Sequence, residues 1–254
     1  MLERCGASNS LLVFDFDGTL APIGKDARSV QLRAGTRRAL ADVAARYPTA
    51  VISGRSRADV LARLGGIPLR AVIGNHGLEP SPGAQQYRSL LRTWFPKLRD
   101  ALEGVPGVSL ENKLYSLSIH YSDAKNARNA HKAIRAAIAD LGSEASCIES
   151  DGVIDVLPAQ APHRGNAVAS LCEAFGVDSA IYVGRDAADE QTFDAPGGRA
   201  QPEPGENKGP ALIAIRVGRS GGRKAGYYLS AQSDVDRLLK SLLLARPSPE
   251  RLRT

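Results

Sequence analysis

The stretch DFDGT, Asp15 to Thr19, decides the fold of this chain. It ends a short apolar run, Leu11 to Phe16, that has the pattern of a buried parallel strand. An aspartate at the carboxyl end of such a strand lies where open α/β sheets bind their ligands. Asp15 can therefore act as a nucleophile toward phosphorus, and Asp17 can serve the same site as acid and base. The alternative is a strand-ending turn whose two carboxylates only cap the next helix.

The composition is that of a globular protein with a modest positive charge. The 254 residues are 43% apolar, which is enough to bury a full core. The net charge of +6 suits an anionic small molecule and does not require a nucleic acid, because the basic residues are scattered along the chain. We therefore expect a small-molecule partner and neither a nucleic acid nor a membrane. The oligomeric state is left open.

The cysteines and the hydropathy pattern bear on location. Cys5, Cys147 and Cys172 are far apart and lack metal-type spacing, so neither a disulfide framework nor a zinc site is predicted. The first ten residues have no long apolar region, and no later run is long enough to span a bilayer. These features predict a soluble protein of the reducing cytoplasm.

The segments after Asp15 continue an alternation of strands and helices. Apolar residues between Leu32 and Tyr47 recur at helical spacing, and Ala50 to Ser53 reads as a second buried strand. A second helix, Ser56 to Leu64, and a third strand, Ala71 to Asn75, follow. Strands separated by helices predict a doubly wound α/β core with a parallel sheet.

An α+β insert is predicted to interrupt this core. The rhythm changes after residue 80 and returns near residue 159, which predicts a core of residues 1–80 plus 159–254 and a cap of residues 81–158. The elements predicted inside the insert are a helix near Leu90 to Leu102, strands at Val108 to Lys113 and Tyr115 to Tyr121, a helix from Asp123 to Leu141, and a strand at Val153 to Leu157. The elements predicted after it are a helix at Gly165 to Phe175, strands at Ile181 to Gly184 and Leu212 to Val217, and a helix at Ser233 to Leu244.

Polar residues follow two further strands of the core. Ser53 ends the second strand and can donate to phosphoryl oxygens, with Arg55 nearby as an anion contact. Taken alone, this pair would be a helix N-cap and a surface charge. The run YVGRDAADE supplies Asp186 beside the first loop. Magnesium needs oxygen ligands, and carboxylates from two separate loops would meet at this edge of the sheet.

The ordered motifs resemble those of the haloacid dehalogenase (HAD) superfamily: DFDGTL, ISGR, HRG and YVGRDAADEQTF. Two further motifs, GNHGLE at 74–79 and ENKLYSLSIHY at 111–121, resemble the trehalose-6-phosphate phosphatase family. The resemblance extends from about Leu11 to Leu244. It implies a HAD-like core with a cap, Mg²⁺ as cofactor, and hydrolysis of trehalose 6-phosphate through an aspartyl-phosphate.

The resemblance also implies roles for individual residues. Asp15 would be the nucleophile and a metal ligand, and Asp17 the acid/base and, through its carbonyl, a second ligand. Ser53 would hold the phosphate, and Arg164 stands where the family has a lysine that contacts nucleophile and phosphate. The residues implied to bind the substrate are His76, Glu79, Glu111, Lys113 and Asp155. Open alternatives are a strand-end salt bridge for Glu111 and Lys113 and a plain loop residue for His76.

Arg185 departs from the family pattern, because it stands where the family has a metal-binding aspartate. In a first hypothesis Asp186 replaces the lost ligand and the chain is a working Mg²⁺-dependent phosphatase. In a second, Arg185 takes the place of the metal, pairs with Asp15, and the protein binds a sugar phosphate with little or no turnover. In a third hypothesis the fold is retained for contact with another protein, and no sequence feature supports this. We favour the enzyme, because most of the machinery around Asp15 remains.

Overall fold

A computed structural model of the chain describes residues 9–24, 29–80, 83–177, 179–193, 211–218 and 225–246. Cys5 lies outside these ranges, while Cys147 and Cys172 are free thiols. In the described part of the chain, no helix combines the length and apolarity needed to cross a lipid bilayer.

The secondary structure follows the predicted alternation. The strands are β1 Ser10–Phe14, β2 Thr49–Ile52, β3 Ala71–Ile73, β4 Ser109–Asn112, β5 Leu117–His120, β6 Ala145–Ser150, β7 Val153–Pro158, β8 Ser179–Gly184, β9 Ala211–Val217 and β10 Tyr227–Leu229. The helices are α1 Ala34–Ala44, α2 Arg57–Leu64, α3 Ala84–Leu102, α4 Ala127–Ala139, α5 Arg164–Phe175, α6 Ala187–Phe193 and α7 Asp234–Ala245. A 3₁₀ turn covers Asn75–Gly77.

A parallel sheet with helices on both faces forms the core. Its strand order is β10-β9-β8-β1-β2-β3, and every neighbouring pair is parallel. Successive side chains of a strand point to opposite faces. Leu12 and Phe14 of β1 accordingly pack in one apolar cluster with α1, α2 and α7, and Leu11 and Val13 pack in another with α5 and α6. The predicted doubly wound α/β core is confirmed.

An antiparallel sheet lies in the segment between β3 and α5. Its order is β4-β5-β7-β6, and we call the segment Ala84 to Pro158 the cap. One face of this sheet packs on α3 and α4 through an apolar cluster, in which Leu98, Ile119 and Ile134 are fully buried. The other face carries polar side chains. This α+β arrangement agrees with the type of insert expected from the sequence.

Gly107 lies where the backbone of the cap passes close to the backbone of Asp123 and Ala124. Its φ is +77°, and a Cβ there would lie 2.4 Å from the carbonyl oxygen of Asp123. Gly142 has a similar φ of +85°, but a Cβ there would meet nothing within 4 Å. Both alanine variants have the cost of a left-handed conformation, about 1–2 kcal/mol. Only Gly107→Ala adds a backbone clash, worth roughly 1–3 kcal/mol more.

We therefore expect Gly107→Ala to lower the free energy of unfolding measured in urea by the larger amount, with Gly142→Ala as its matched control. Equal losses for the two variants would contradict the close approach at Gly107.

Candidate functional site

A cavity of about 210 Å³ opens where the carboxyl edge of the parallel sheet faces the polar side of the cap sheet. This position follows from the topology, since ligands of open α/β sheets bind at the carboxyl ends of the strands. Most residues predicted from the sequence line this cavity: Asp15, Asp17, Arg55, His76, Glu111, Lys113, Asp155, Arg164 and Asp186. Ser53 and Glu79 are not among the described residues that line it.

Asp15 lies at the end of β1 and is almost fully buried. Its Oδ1 accepts a hydrogen bond of 2.9 Å from Nη1 of Arg164, while its Oδ2 is buried without a hydrogen-bond partner. Burial raises the pKa of Asp15 well above its usual value, and the nearby carboxylate of Asp189 raises it further. An oriented carboxylate with one oxygen that accepts no hydrogen bond is the arrangement that a nucleophile requires.

Arg164, the first residue of α5, is the counter-ion of this cluster. Its Nη1 also donates to Oδ1 of Asp189, and Nη2 lies 3.5 Å from Oδ2 of Asp186. The side chain is 2% exposed, so its charge is held inside the protein. Among the described residues, one guanidinium thus faces three carboxyl groups, which is too little positive charge for all three to be ionised.

Asp189 anchors the loop that follows β8. Its Oδ2 accepts from the backbone N–H groups of Arg185 and Asp186, at 2.5 and 2.8 Å. Its Oδ1 accepts from Arg164 and from the Tyr182 hydroxyl, the latter at 2.6 Å. Burial opposes ionisation of Asp189, but Arg164 and Tyr182 outweigh it and lower its pKa. Gly184 is needed here, because a Cβ would lie 2.4 Å from Cγ of Asp189.

The carboxylate cluster fits a divalent cation. Asp15, Asp186 and Asp189 each offer an oxygen, and these three oxygens lie within 4.8 Å of one another. Burial raises the pKa of Asp186 to about 7, against the opposing charge of Arg164. A bound cation with oxygen ligands would stabilise the ionised forms of these two buried carboxyls, whose pKa values are raised in its absence. Each oxygen of Asp189 already accepts two hydrogen bonds, whereas each oxygen of Asp186 accepts one and Oδ2 of Asp15 accepts none, which favours Asp15 and Asp186 as the ligands.

Arg185 is not the partner of Asp15. No salt bridge within the described residues joins the Arg185 side chain to a carboxylate. Its Cδ and Nη1 instead lie over Gly18, each 2.9 Å from where a Cβ of that residue would stand. The pairing on which the second hypothesis depended is therefore absent, and Arg164 makes that contact instead.

Asp17 is held by Arg55. Nε and Nη2 of Arg55 donate to its two carboxylate oxygens, both at 2.7 Å, and Nη1 donates to Asp59 at 2.9 Å. The guanidinium also lies 5.9 Å from the ring centroid of Phe16. Burial would lower the pKa of Arg55, but Asp17 and Asp59 more than offset it and raise that pKa. The bidentate geometry fixes both side chains.

Ser53 and Glu79 occupy supporting positions. Ser53 is fully buried at the end of β2, and its Oγ accepts from the backbone N–H of Arg55 at 3.2 Å. The Glu79 carboxylate accepts from the backbone N–H of Arg57 at 2.8 Å and from the Asn75 side chain at 2.7 Å. Glu79 therefore holds the loop that carries His76 and supports the cavity from outside its lining.

One face of the cap sheet forms the far wall of the cavity. The register places Glu111 opposite Ser118 and Ser118 opposite Asp155, so these three side chains share a face. His120 lies on the same face, and its Nε2 is 2.8 Å from Oε2 of Glu111. This hydrogen bond is the largest cause that lowers the pKa of Glu111. His120 also lines the cavity.

Comparison with known sequences identifies relatives over most of the chain. The sequence model of the trehalose-phosphatase family matches residues 13–209. The trehalose-phosphate phosphatase of Mycolicibacterium paratuberculosis is 33% identical over 198 residues, which are 72% of this chain and 50% of that protein. That of Mycobacterium ulcerans is 33% identical over 256 residues, covering 88% of this chain and 65% of that protein. The chain thus spans half to two thirds of the length of these curated relatives.

Comparison with solved structures supports the fold. The C-terminal domain of C. albicans trehalose-6-phosphate phosphatase superposes with a TM-score of 0.76 at 20% identity, covering 96% of this chain and 94% of that one. A HAD-superfamily phosphatase from Bacteroides thetaiotaomicron gives a TM-score of 0.57 at 16% identity, covering 94% and 95%. The core and cap therefore have the HAD fold.

Proposed function

Because this chain belongs to the trehalose-phosphatase family, we propose that it hydrolyses trehalose 6-phosphate to trehalose and phosphate. The observation that carries the proposal is the buried carboxylate of Asp15, with one oxygen fixed by Arg164 and the other without a partner. The arrangement supports an aspartyl-phosphate mechanism. Residues 81–158 would act as the cap that closes over the sugar, and the cytoplasm is the proposed location.

Two transfers of the phosphoryl group make up the proposed reaction. In the first, Oδ2 of Asp15 attacks phosphorus, the bond from phosphorus to the sugar oxygen breaks, and protonated Asp17 gives its proton to that oxygen. In the second, Asp17 accepts a proton from water as the water attacks the aspartyl-phosphate, which releases phosphate and restores Asp15. Arg55 holds Asp17 by both oxygens, so the base role suits the geometry present, and the acid role requires Arg55 to release one oxygen.

The proposed cofactor is Mg²⁺, held by Asp15, Asp186 and the carbonyl of Asp17. When bound, it would neutralise charge on the phosphoryl oxygens. Arg164 keeps Asp15 oriented beside this position, and Ser53 would donate to the phosphate from the end of β2. These assignments use the carboxylate cluster without any contribution from the Arg185 side chain.

The sugar would lie against the cap. Glu111 and His120 form a hydrogen-bonded pair on the cavity wall, which offers an acceptor and an imidazole to sugar hydroxyls. Lys113 donates to Gly54 and Asp155, at 3.1 Å each, and would need to exchange one of these partners to contact a hydroxyl. Polar groups fixed in this way discriminate strongly between substrates that do and do not satisfy them.

The test is phosphate release from trehalose 6-phosphate, glucose 6-phosphate and p-nitrophenyl phosphate, each with Mg²⁺ and with excess EDTA. We expect kcat/KM for trehalose 6-phosphate to exceed that for glucose 6-phosphate by about 10²-fold or more, and EDTA to remove the activity. Equal activity on both sugar phosphates would refute the proposed substrate, and full activity in EDTA would refute the cofactor.

A further inference from the structure

A line of buried side chains joins the cap sheet to the nucleophile. Oδ2 of Asp155, on β7, lies 2.7 Å from Nε2 of His76. Nδ1 of the same ring lies 3.4 Å from Nη2 of Arg164, and Nη1 of Arg164 lies 2.9 Å from Asp15. All four side chains are at most 10% exposed. The cap is thus connected to Asp15 through two residues of the core.

The protonation of His76 follows from its neighbours. Burial lowers the pKa of His76, which favours the neutral ring. Asp155 is an acceptor, because Lys113 and His76 outweigh the effect of burial and lower its pKa. The proton therefore lies on Nε2, toward Asp155, and the lone pair of Nδ1 faces the Arg164 donor. A neutral ring in this tautomer satisfies both neighbours at once.

The orientation of this ring is fixed by contact as well as by hydrogen bonds. His76 has a left-handed backbone, with φ +58°. The ring packs against Gly54, where a Cβ would stand 2.5 Å from Cε1 of His76. The contact with Gly54 and the two hydrogen bonds to Asp155 and Arg164 together hold the ring in place. It can therefore transmit a displacement of either neighbour to the other.

Asp155 has no oxygen left over for a sugar in this arrangement. Oδ2 accepts from His76, and Oδ1 accepts from Lys113 and from the Ser118 hydroxyl. Lys113 in turn donates to the carbonyl of Gly54, in the core. The carboxylate thus lies where the cap and the core are fastened together.

Building on the proposed function, we propose that Asp155 is a positioning residue: through His76 and Arg164, it couples the docking of the cap to the orientation of Asp15. With the cap docked, His76 is held and Arg164 has partners at both Nη1 and Nη2. When Asp155 withdraws, His76 loses its acceptor and Nη2 of Arg164 loses a fixed partner. Asp15 is then less well oriented for attack on phosphorus.

The test compares two substrates in Asp155→Asn. p-Nitrophenyl phosphate lacks the sugar, so a residue that only contacts sugar would not affect its hydrolysis. We expect kcat to fall by about 10- to 100-fold for both trehalose 6-phosphate and p-nitrophenyl phosphate, because misplacing a reacting group by about 1 Å has effects of that size. The matched control is Glu111→Gln, a cap carboxylate bonded to His120 within the cap, which should raise KM for the sugar phosphate alone.

A second variant keeps the test decisive if Asp155→Asn folds poorly. His76→Asn retains a residue type that tolerates the left-handed backbone and breaks the same connection. It should lower kcat for both substrates, and the double variant should be no slower than the slower single variant, since residues acting through one contact are not additive.

The remaining outcomes overturn this inference, the proposed substrate, or both. A loss confined to trehalose 6-phosphate would make Asp155 a sugar contact, and unchanged kcat or additive losses would remove the coupling. Should the wild type hydrolyse only p-nitrophenyl phosphate, the proposed substrate fails while the comparison still decides the role of Asp155. Absence of turnover with both substrates would defeat both proposals.

Discussion

Asp15→Asn is expected to lower kcat for phosphate release by about 10⁴-fold or more, the scale on which removal of a covalent nucleophile acts. The amide oxygen can still accept from Arg164, but the side chain cannot form an acyl phosphate. The variant should fold, because burial and Asp189 already disfavour the charged form of Asp15. Its thermal midpoint without metal should equal or exceed that of the wild type.

Acid-quenched protein provides the direct measurement. The wild type incubated with substrate should carry a phosphoryl adduct on the peptide that contains Asp15, and Asp15→Asn should carry none. Asp17→Asn is the matched control, since it keeps the nucleophile and should still allow some adduct to form while slowing its hydrolysis. Turnover that survives in Asp15→Asn would defeat the assignment of the nucleophile.

Arg164→Gln should have the largest effect on stability. It removes the one guanidinium from a buried cluster that includes Asp15 and Asp189, both of which accept from it. Breaking a buried pair in this way costs about 3–5 kcal/mol, because the remaining charges are left without compensation. For a chain of this size the thermal midpoint should fall by roughly 10 °C. Added Mg²⁺ should recover part of the loss, since it supplies positive charge to the same carboxylates.

The neighbouring arginine offers the control. Arg185→Gln removes a guanidinium that has no ion pair with a carboxylate of the described residues, so its effect should stay within about 0.5 kcal/mol. Arg164→Lys should be intermediate, because lysine restores the charge without the forked geometry. Similar midpoints for Arg164→Gln and Arg185→Gln would show that the cluster does not depend on Arg164.

The core could be predicted because its strands are short apolar runs that end in polar residues. The elements that were missed lack such a signal. β6, Ala145–Ser150, has no fully buried residue, and β10 is only three residues long. α3 starts at Ala84, whereas the sequence predicted a helix only from about Leu90. The first turns were missed because they are polar and carry few of the buried residues of the helix. Each of these elements is stabilised by residues that are distant in sequence, and a local sequence pattern carries no information about them.

The site could be predicted only in part for the same reason. Asp15, Asp17 and Arg164 were found through motifs at the ends of elements, and the structure brings them together. His120 was missed, because only the register of β4 on β5 places it beside Glu111. Tyr182 was missed since it lies within an apolar strand, where its hydroxyl has no sequence neighbour that indicates a partner. The clamp of Arg55 on Asp17 joins residues 38 positions apart.

The way Asp189 holds the loop after β8 bears on how this site can change during evolution. Asp189 binds the main-chain N–H groups of residues 185 and 186, which every amino acid except proline possesses. The shape of the loop therefore does not depend on the side chain at position 185. A substitution that reverses the charge there leaves these two hydrogen bonds, and the backbone that they hold, in place. Selection can then tune ion affinity separately from folding.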